Sequence, residues 1–255
     1  MVTTTLLQPD TVREASETAW PGSAEIPGPG HVDLWMLSLP DAPPGPAGLR
    51  LLDSEEHRRV ATLRHPVARA HYTAAHIMLR RVLGAYLGQP AHAVALRRES
   101  CPVCGGPHGR PATADRTSGL HFSLSHGAGL ALLGVASAPV GVDVEPGIGD
   151  ATVAELTPQL HPAERLDLRD ELPEGRAALF SRLWTLKEAY LKGLGTGLGR
   201  ELSLDYVGDR DTAARPDGWS LFNLPVPGAW AACALRCPEG TGGIRGFGRL
   251  PPAGL

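Results

Sequence analysis

Hydrophobic and polar residues follow two rhythms along the chain, and each rhythm predicts a type of element. Residues 31–39 alternate apolar and polar positions, which is typical of a strand. Residues 51–63 are predicted to form a helix with Asp53 or Ser54 as the N-cap and two glutamates in its first turn. A longer helix is predicted from Pro66 to about residue 87, because apolar side chains recur there at spacings of three and four.

The middle of the chain changes from helix to strand. Residues 99–119 show neither rhythm and are predicted as a loop, whereas strands are predicted at 121–124 and 130–136. A turn at 137–139 leads into a third run, 140–145, so we expect a hairpin of two strands there.

The second half adds helices before its last strands. The predicted helices are 151–156, 162–168 and the long 176–194, which a glycine-rich stretch ends. The predicted strands are 202–207, 219–224 and 229–235.

This order of elements predicts an α+β fold in two halves. Residues 1–30 hold few large apolar side chains and are predicted to be a flexible N-terminal extension. Residues 31–138 and 139–250 each combine strands with helices, which favours two α+β subdomains over one doubly wound sheet.

Composition removes several classes of function. The formal charge of −3 over 255 residues argues against a nucleic-acid binder that relies on positive charge. No apolar run reaches the roughly 18 residues needed to span a bilayer, and the first ten residues do not resemble a secretory signal. Four cysteines in such a chain predict reduced thiols. We therefore expect a cytoplasmic protein with neither a membrane nor a nucleic acid as partner.

The two lysines of the chain, Lys187 and Lys192, lie in one short segment with Glu188 between them. On a helix Glu188 and Lys192 share a face, because they are four residues apart. An ordinary surface ion pair is one interpretation. The other is a site that needs a compact ammonium, which a planar guanidinium replaces poorly.

Two further carboxylates, Asp143 and Glu145, are two residues apart on the predicted strand 140–145. They therefore point to the same face, where they repel each other unless a cation lies between them. Solvated acids at a strand end are the alternative. If the two acids instead act together with Glu188 and Lys192, the four side chains would make a suitable site for Mg²⁺ and a pyrophosphate.

Ser125 and His126 precede a turn at 127–129 that contains two glycines. Hydroxyl, imidazole and backbone N–H groups there could hold a phosphate. A Ser/His nucleophile pair is a weak rival, since neighbouring strand residues point to opposite faces. A purely structural role stays open.

Residues 101–110 and the first helices hold the remaining candidates. Cys101, Cys104 and His108 could begin a zinc knuckle, but no convincing fourth ligand is present, so a tight turn is the default interpretation. Arg110 follows as a mobile cation near the Ser125 turn. Four helical arginines have two interpretations, a basic edge or merely solvated side chains: Arg58, Arg59, Arg64 and Arg69.

Three segments together resemble the signature blocks of the 4′-phosphopantetheinyl transferases. They are F-S-L-S-H at 122–126, G-V-D-V-E at 141–145 and W-T-L-K-E-A-Y-L-K at 184–192. Their order and separation are similar to those of the larger, monomeric type that activates surfactin-like synthetases. The resemblance covers about residues 31–250 and implies a pseudo-twofold pair of similar α+β subdomains, with coenzyme A in the cleft between them.

The resemblance also implies roles for individual residues. Asp143, Glu145 and Glu188 would hold Mg²⁺, with Mn²⁺ as the alternative, and Glu188 and Lys192 would be catalytic. The implied contacts to coenzyme A are Arg59, Arg69, Arg110, Ser125, His126, Lys187 and Lys192, with His71 as a rival to Arg69.

The implied reaction transfers 4′-phosphopantetheine from coenzyme A to a serine of an apo acyl or peptidyl carrier protein and releases adenosine 3′,5′-bisphosphate. Glu188, directly or through a water, would accept the serine proton. Two rivals remain: a Mg²⁺-dependent pyrophosphohydrolase acting on a nucleotide such as coenzyme A, and a non-catalytic binding module built on the cysteine loop. The carrier and its pathway are not indicated.

Overall fold

The computed structural model describes residues 20–210, 213–238, 242–252 and 255. The predicted extension at 1–30 therefore lies largely outside the described residues. The helices are α1 (Pro46–Leu49), α2 (Ser54–Thr62), α3 (Pro66–Leu87), α4 (Asp150–Leu156), α5 (Pro162–Asp170) and α6 (Arg176–Leu194). The strands are β1 (His31–Ser38), β2 (Leu96–Arg98), β3 (Pro111–Thr113), β4 (His121–Gly127), β5 (Leu130–Ala136), β6 (Val140–Glu145), β7 (Trp219–Leu224), β8 (Trp230–Arg236) and β9 (Gly243–Leu250).

Local sequence signals account for the ends of the helices. The carboxylate of Asp53 accepts the N–H groups of Glu55 and Glu56 at 2.9 Å, and Glu56 accepts the N–H of Asp53, which completes a capping box before α2. Gly195, in the left-handed region at φ 82°, ends α6. The predicted helices at 51–63, 66–87 and 176–194 and the α+β fold class are confirmed.

Two sheets and a short ladder make up the strands of the described chain. The first sheet has the order β4-β5-β1-β9, in which β1 is antiparallel to β5 and parallel to β9. The second sheet has the antiparallel order β6-β8-β7. β2 and β3 pair only with each other.

Alternation along β1 separates two cores. Val32, Leu34 and Met36 face the second sheet and pack with alternate residues of β6 and β8. Leu37 belongs to the other core, between the first sheet and the apolar stripe of α3. Within the described part of the chain no helix has both the length and the apolar character needed to cross a bilayer.

Two strand predictions are wrong. The hairpin expected between 130–136 and 140–145 does not form, because β5 pairs with β1 and β4 while β6 pairs with β8 in the other sheet. Residues 202–207 form no strand, because buried side chains use their backbone groups. The carbonyl oxygens of Leu202 and Asp205 accept from Lys187, and the N–H of Val207 donates to Glu164.

β3 and β9 lie where no strand was predicted. β3 is three residues long and interrupts the loop predicted at 99–119. β9 contains three glycines, which weaken a strand signal, yet it forms the edge of the first sheet beside β1. The division of the chain into two subdomains between residues 138 and 139 stays a prediction. β9 belongs to the second of these segments by sequence but pairs with β1 in the first.

Candidate active site

Two glycines bring α6 into direct contact with β6. A Cβ atom on Gly141 would lie 1.9 Å from the carbonyl oxygen of Ala189, and one on Gly193 would lie 2.7 Å from the Trp219 ring. Only a residue without a side chain fits at either position. The close approach places Glu188 and Lys192, which flank this contact on α6, beside the acidic strand β6.

Serine hydroxyls join the two sheets where β4 and β6 run side by side. The backbone N–H of Val142 donates to Oγ of Ser123 at 3.1 Å, and that of Val144 donates to Oγ of Ser125 at 3.4 Å. Side-chain oxygens thus replace the carbonyl partners of an ordinary ladder. Ser125 is thereby held next to Asp143, in the adjoining strand.

Lys192, Asp143 and Ser125 form a closed triangle of polar contacts. The Lys192 ammonium donates to Oδ1 of Asp143 at 2.5 Å and to Oγ of Ser125 at 3.0 Å, and Ser125 donates to the same Oδ1 at 2.9 Å. Asp143 is fully buried, whereas the Lys192 side chain is 31% exposed. The ammonium therefore links a buried carboxylate to solvent.

The second oxygen of Asp143 lacks a partner in the part of the chain that the structure describes. Oδ2 is buried and makes no hydrogen bond with any described residue. An unpaired carboxylate oxygen away from water is costly, so such groups are usually paired or bound to a metal. This oxygen is therefore available to a ligand that the protein itself does not supply.

Glu145 and Glu188 share the electrostatic environment of Asp143. Burial, and then the charge of Asp143, raise the pKa of Glu145, while Lys192 opposes the rise. Burial also raises the pKa of Glu188; Lys192 opposes this, and the charges of Asp143 and Glu145 add to it. The charge of Asp143 thus disfavours the ionised forms of both glutamates, and a hard cation among the three carboxylates would favour those forms.

The oxygen atoms of the three carboxylates do not all lie close enough together to hold one ion as they stand. In the described chain, the one group of three potential ligands whose donor atoms all lie within 4.8 Å of one another is a different cluster. A shared ion at the acids would therefore need rotation of at least one glutamate side chain. The donor set of three oxygens, one of them orphaned and buried, fits Mg²⁺.

A cleft of about 440 Å³, here called the α6 cleft, opens at the C-terminal end of α6. Lys192 and Arg110 both line it, and the remaining lining comes from residues 108–111, 122–124 and 195–199, with Arg98. The Arg110 guanidinium donates to Glu99 at 2.7 Å and to the carbonyl oxygen of Gly193 at 2.9 Å. The arginine is thus held against the end of the helix that carries Lys192.

A second cleft of about 300 Å³, the His126 cleft, lies on the other side of Ser125. Arg59, His71, Tyr72 and His126 line it together with the turn at 127–129. Desolvation, and then the positive charges of His76, Lys192 and His71, lower the pKa of His126. Arg69 is exposed and does not line this cleft, whereas its rival His71 does.

Lys187 lies outside this group of residues. Its side chain is 2% exposed, and its ammonium contacts Glu164 at 2.8 Å and the carbonyl oxygens of Leu202 and Asp205. All three N–H groups are therefore used within the protein. Lys187 was expected to contact coenzyme A, but in the structure it forms a buried ion pair with Glu164 instead.

The sequence patterns did not single out Thr196. Its Oγ1 is buried without a hydrogen-bond partner among the described residues, and the residue lines the α6 cleft close to Lys192. The glycine-rich stretch around it was interpreted only as the end of a helix. The sequence signal that could have found Thr196 is its position among glycines shortly after Lys192.

Comparison with known proteins adds family membership to this geometry. A family model described as "4′-phosphopantetheinyl transferase superfamily" matches residues 139–234, which contain β6 and α6. The 4′-phosphopantetheinyl transferase HetI of Nostoc sp. is 32% identical over 231 residues, covering 87% of this chain and 90% of that protein. A Bacillus subtilis 4′-phosphopantetheinyl transferase is 31% identical over 106 residues, 42% of this chain and 45% of its own.

A third relative is similar over about two thirds of this chain. The phosphopantetheinyl transferase of Thraustochytrium sp. is 29% identical over 189 residues, which cover 67% of this chain and 63% of that protein. The matched residues include the acids of β6 and Lys192 of α6, which the fold brings together. The chain therefore belongs to the 4′-phosphopantetheinyl transferase superfamily and is an enzyme of that activity.

Proposed function

We propose that the enzyme transfers the 4′-phosphopantetheine group of coenzyme A to a serine hydroxyl of an acyl or peptidyl carrier protein, in a Mg²⁺-dependent reaction that releases adenosine 3′,5′-bisphosphate. One observation carries the proposal. Asp143 is fully buried, bound on one oxygen by Lys192 and Ser125, and unpaired on the other oxygen. Such a carboxylate is suited to a ligand that arrives with the substrate.

Asp143, Glu145 and Glu188 are the residues that would hold the metal ion. When bound, Mg²⁺ would neutralise the pyrophosphate of coenzyme A and the charge of the departing bisphosphate. The raised pKa values of both glutamates mean that their ionised forms gain from an added cation.

Glu188 is our candidate for the base. The serine oxygen forms a bond to the phosphorus that carries pantetheine, the bond from that phosphorus to the bridging oxygen breaks, and the serine proton moves to a Glu188 carboxylate oxygen. A raised pKa suits this carboxylate to accepting a proton near neutral pH.

Lys192 supplies the positive charge on the phosphate side. Its ammonium already lies between Asp143 and solvent, in the wall of the α6 cleft. Negative charge grows on the departing oxygen as its bond to phosphorus breaks, and a fixed ammonium stabilises that charge. Ser125, which the resemblance implies as a contact to coenzyme A, is instead proposed to orient this lysine and Asp143.

The nucleotide contacts are proposed from the two clefts. Arg59, His71 and His126 line one cleft and offer the cationic or N–H groups that a 3′-phosphate needs, while Arg110 lines the other. We retain Arg69 only as a sequence prediction. Two α+β halves within one chain support a monomeric enzyme, and a cytoplasmic location is retained as a prediction from the sequence.

Intact-mass spectrometry of apo carrier proteins tests the proposal. With coenzyme A and Mg²⁺ the carrier should gain one phosphopantetheine arm, and EDTA should abolish the gain until excess Mg²⁺ is restored. Fatty-acid, polyketide and peptide carriers should each be tried, with Arg69→Ala as a control expected to stay active.

Cleavage of coenzyme A with no carrier present, and with no arm added when carriers are supplied, would favour the pyrophosphohydrolase instead. Transfer that proceeds undiminished in EDTA would contradict the Mg²⁺ dependence while leaving the transferase activity in place.

A further inference from the structure

The loop between β2 and β3 brings three soft ligands together, away from the carboxylates of the active site. One donor atom each from Cys101, Cys104 and His108 lies within 4.8 Å of the others, and Sγ of Cys104 is 2.9 Å from Nε2 of His108. We propose that these three side chains bind one Zn²⁺ ion, with the fourth coordination position open to solvent.

The loop is shaped for this set of ligands. The backbone N–H groups of Val103 and Cys104 point to the Cys101 sulfur, and the N–H of Gly105 donates to the carbonyl oxygen of Cys101 at 2.8 Å. Gly105 has φ 73°, a left-handed conformation that favours glycine. Backbone N–H groups that face a cysteine sulfur stabilise it as a thiolate, the form that binds metal.

Gly106 keeps space open beside the ligands. A Cβ atom at this position would lie 3.0 Å from Cδ2 and 3.2 Å from Nε2 of His108, and 3.4 Å from Sγ of Cys104. A side chain would therefore crowd the imidazole nitrogen and the sulfur at once. The pattern C-P-V-C-G-G thus has a geometric reason for its second glycine.

The identity of the metal follows from the ligand chemistry. Two cysteine sulfurs and an imidazole nitrogen are borderline-soft ligands that favour Zn²⁺, whereas the acids at β6 are hard oxygen ligands that favour Mg²⁺. Three protein ligands complete a tetrahedral site when a water takes the fourth position. Cys101 is buried, but Cys104 and His108 are exposed, so solvent reaches the metal position.

The loop is tied to the active site through Arg110. Glu99 donates its N–H to the carbonyl oxygen of Arg110 and binds the Arg110 guanidinium, while the N–H of Gly109 donates to the carbonyl oxygen of Glu99. His108 and Arg110 both line the α6 cleft. A metal at residues 101–108 would close the tip of this hairpin and hold Arg110 in place.

Metal content and a cobalt spectrum test the site in the full-length protein, with its tag removed and its thiols kept reduced. We expect one zinc per chain after incubation with Zn²⁺ and removal of unbound ion. Cys104→Ser should lose it, whereas Cys237→Ser, which changes a half-buried free cysteine outside the cluster, should keep it.

Substitution with Co²⁺ reports the ligands without any variant. Wild-type protein should show an intense sulfur-to-cobalt charge-transfer band in the near ultraviolet and strong visible bands of four-coordinate cobalt, unchanged by excess Mg²⁺. Cobalt on the carboxylates alone would lack the charge-transfer band. A reduced wild-type protein without that band, or equal zinc in wild type and Cys104→Ser, would overturn the proposal.

Hydrogen exchange then measures what the ion does. Zinc should slow amide exchange in residues 99–110 several-fold and leave β4 and β6 unchanged. Equal exchange with and without bound zinc would contradict the role in holding Arg110 while leaving the binding result in place.

Discussion

The two lysines of the chain lie on one helix, five residues apart, and serve opposite purposes. Lys187 pairs with Glu164 in a site where every polar group is used: Glu164 also accepts the N–H groups of His161 and Val207, and the ammonium reaches two carbonyl oxygens. Lys192 pairs with Asp143, whose other oxygen has no partner among the residues that the structure describes.

The difference between the pairs distinguishes a structural ion pair from a functional one. The Lys187 pair is buried on both sides, and burial lowers the pKa of Lys187 and raises that of Glu164. In the other pair Asp143 is buried but Lys192 is partly exposed. A buried pair is tolerated when further hydrogen bonds satisfy its remaining atoms, as around Glu164. The unsatisfied oxygen at Asp143 is a cost to the free protein that a ligand can relieve.

Glu188→Gln should show the largest effect, a loss of transfer activity of about 10⁴-fold, because it removes both a base and a metal-binding charge. The substitution should also stabilise the free protein by roughly 0.5–2 kcal/mol at neutral pH, since the ionised glutamate is disfavoured there. Carrier mass spectrometry and thermal unfolding measure the two. Near-normal transfer would remove Glu188 from the mechanism.

Lys187→Met should lower the free energy of unfolding by about 3–5 kcal/mol, because Glu164 would remain as an unpaired buried charge. The double variant Lys187→Met/Glu164→Gln should recover part of this loss, since it removes both charges. Urea titration gives both values. Unchanged stability of the single variant, or a double variant no more stable than it, would argue against a structural pair.

Lys192→Ala should lower transfer by about 10²–10³-fold, the effect of removing one fixed donor from a developing negative charge. Its effect on stability should be smaller than that of Lys187→Met, because the side chain is partly exposed. Arg59→Ala and Arg69→Ala are the comparisons in single-turnover kinetics. An equal loss in Arg69→Ala would mean that the lysine has no special role.

The pH dependence should separate the two sites. The raised pKa values of Glu145 and Glu188 mean that both acids take up protons at a higher pH than an ordinary glutamate. The folded protein then binds more protons than the unfolded chain, so the stability advantage of Glu188→Gln should shrink as the pH falls through this window. The acid limb of transfer should also begin above the usual glutamate range. A pH-independent stability difference would contradict the raised pKa.

Thr196→Val should have the smallest effect, a loss of coenzyme A binding worth about 0.5–1.5 kcal/mol. Its Oγ1 has no partner among the described residues, so stability should change little. Thr185→Val, within α6, is the contrast, because the Thr185 hydroxyl donates to the carbonyl oxygen of Ser181. A Thr196 variant with an unchanged KM for coenzyme A would assign the hydroxyl no role in binding.

Local signals predicted much of the fold because they act over a few residues. The Asp53 cap, Pro66 and the glycines after residue 192 indicated helix ends that the structure confirms. The sequence predicted less well which strands pair when they are far apart along the chain. The hairpin prediction failed because the turn at 137–139 carries the chain from one sheet to another, a choice that depends on β8, nearly 100 residues away.

The candidate site divides in the same way. Strand periodicity placed Asp143 and Glu145 together, and helical spacing placed Glu188 with Lys192. Helical spacing assigned the catalytic role to Lys192 alone, but it left Lys187 as a further contact to coenzyme A. Packing decides the place of each lysine: α5 and the segment 202–207 enclose Lys187, while the glycine contact between Gly141 and α6 directs Lys192 toward β6.

The amino-acid sequence by itself determined the types of element, the helix ends and the chemical groups available to the site, because these depend on neighbouring residues and on side-chain chemistry. The tertiary structure decided which strands pair, which lysine is buried, which oxygen of Asp143 is unpaired and that three soft ligands meet at the 101–108 loop. Burial and unpaired atoms are properties of packing between distant segments, so no local pattern contains them.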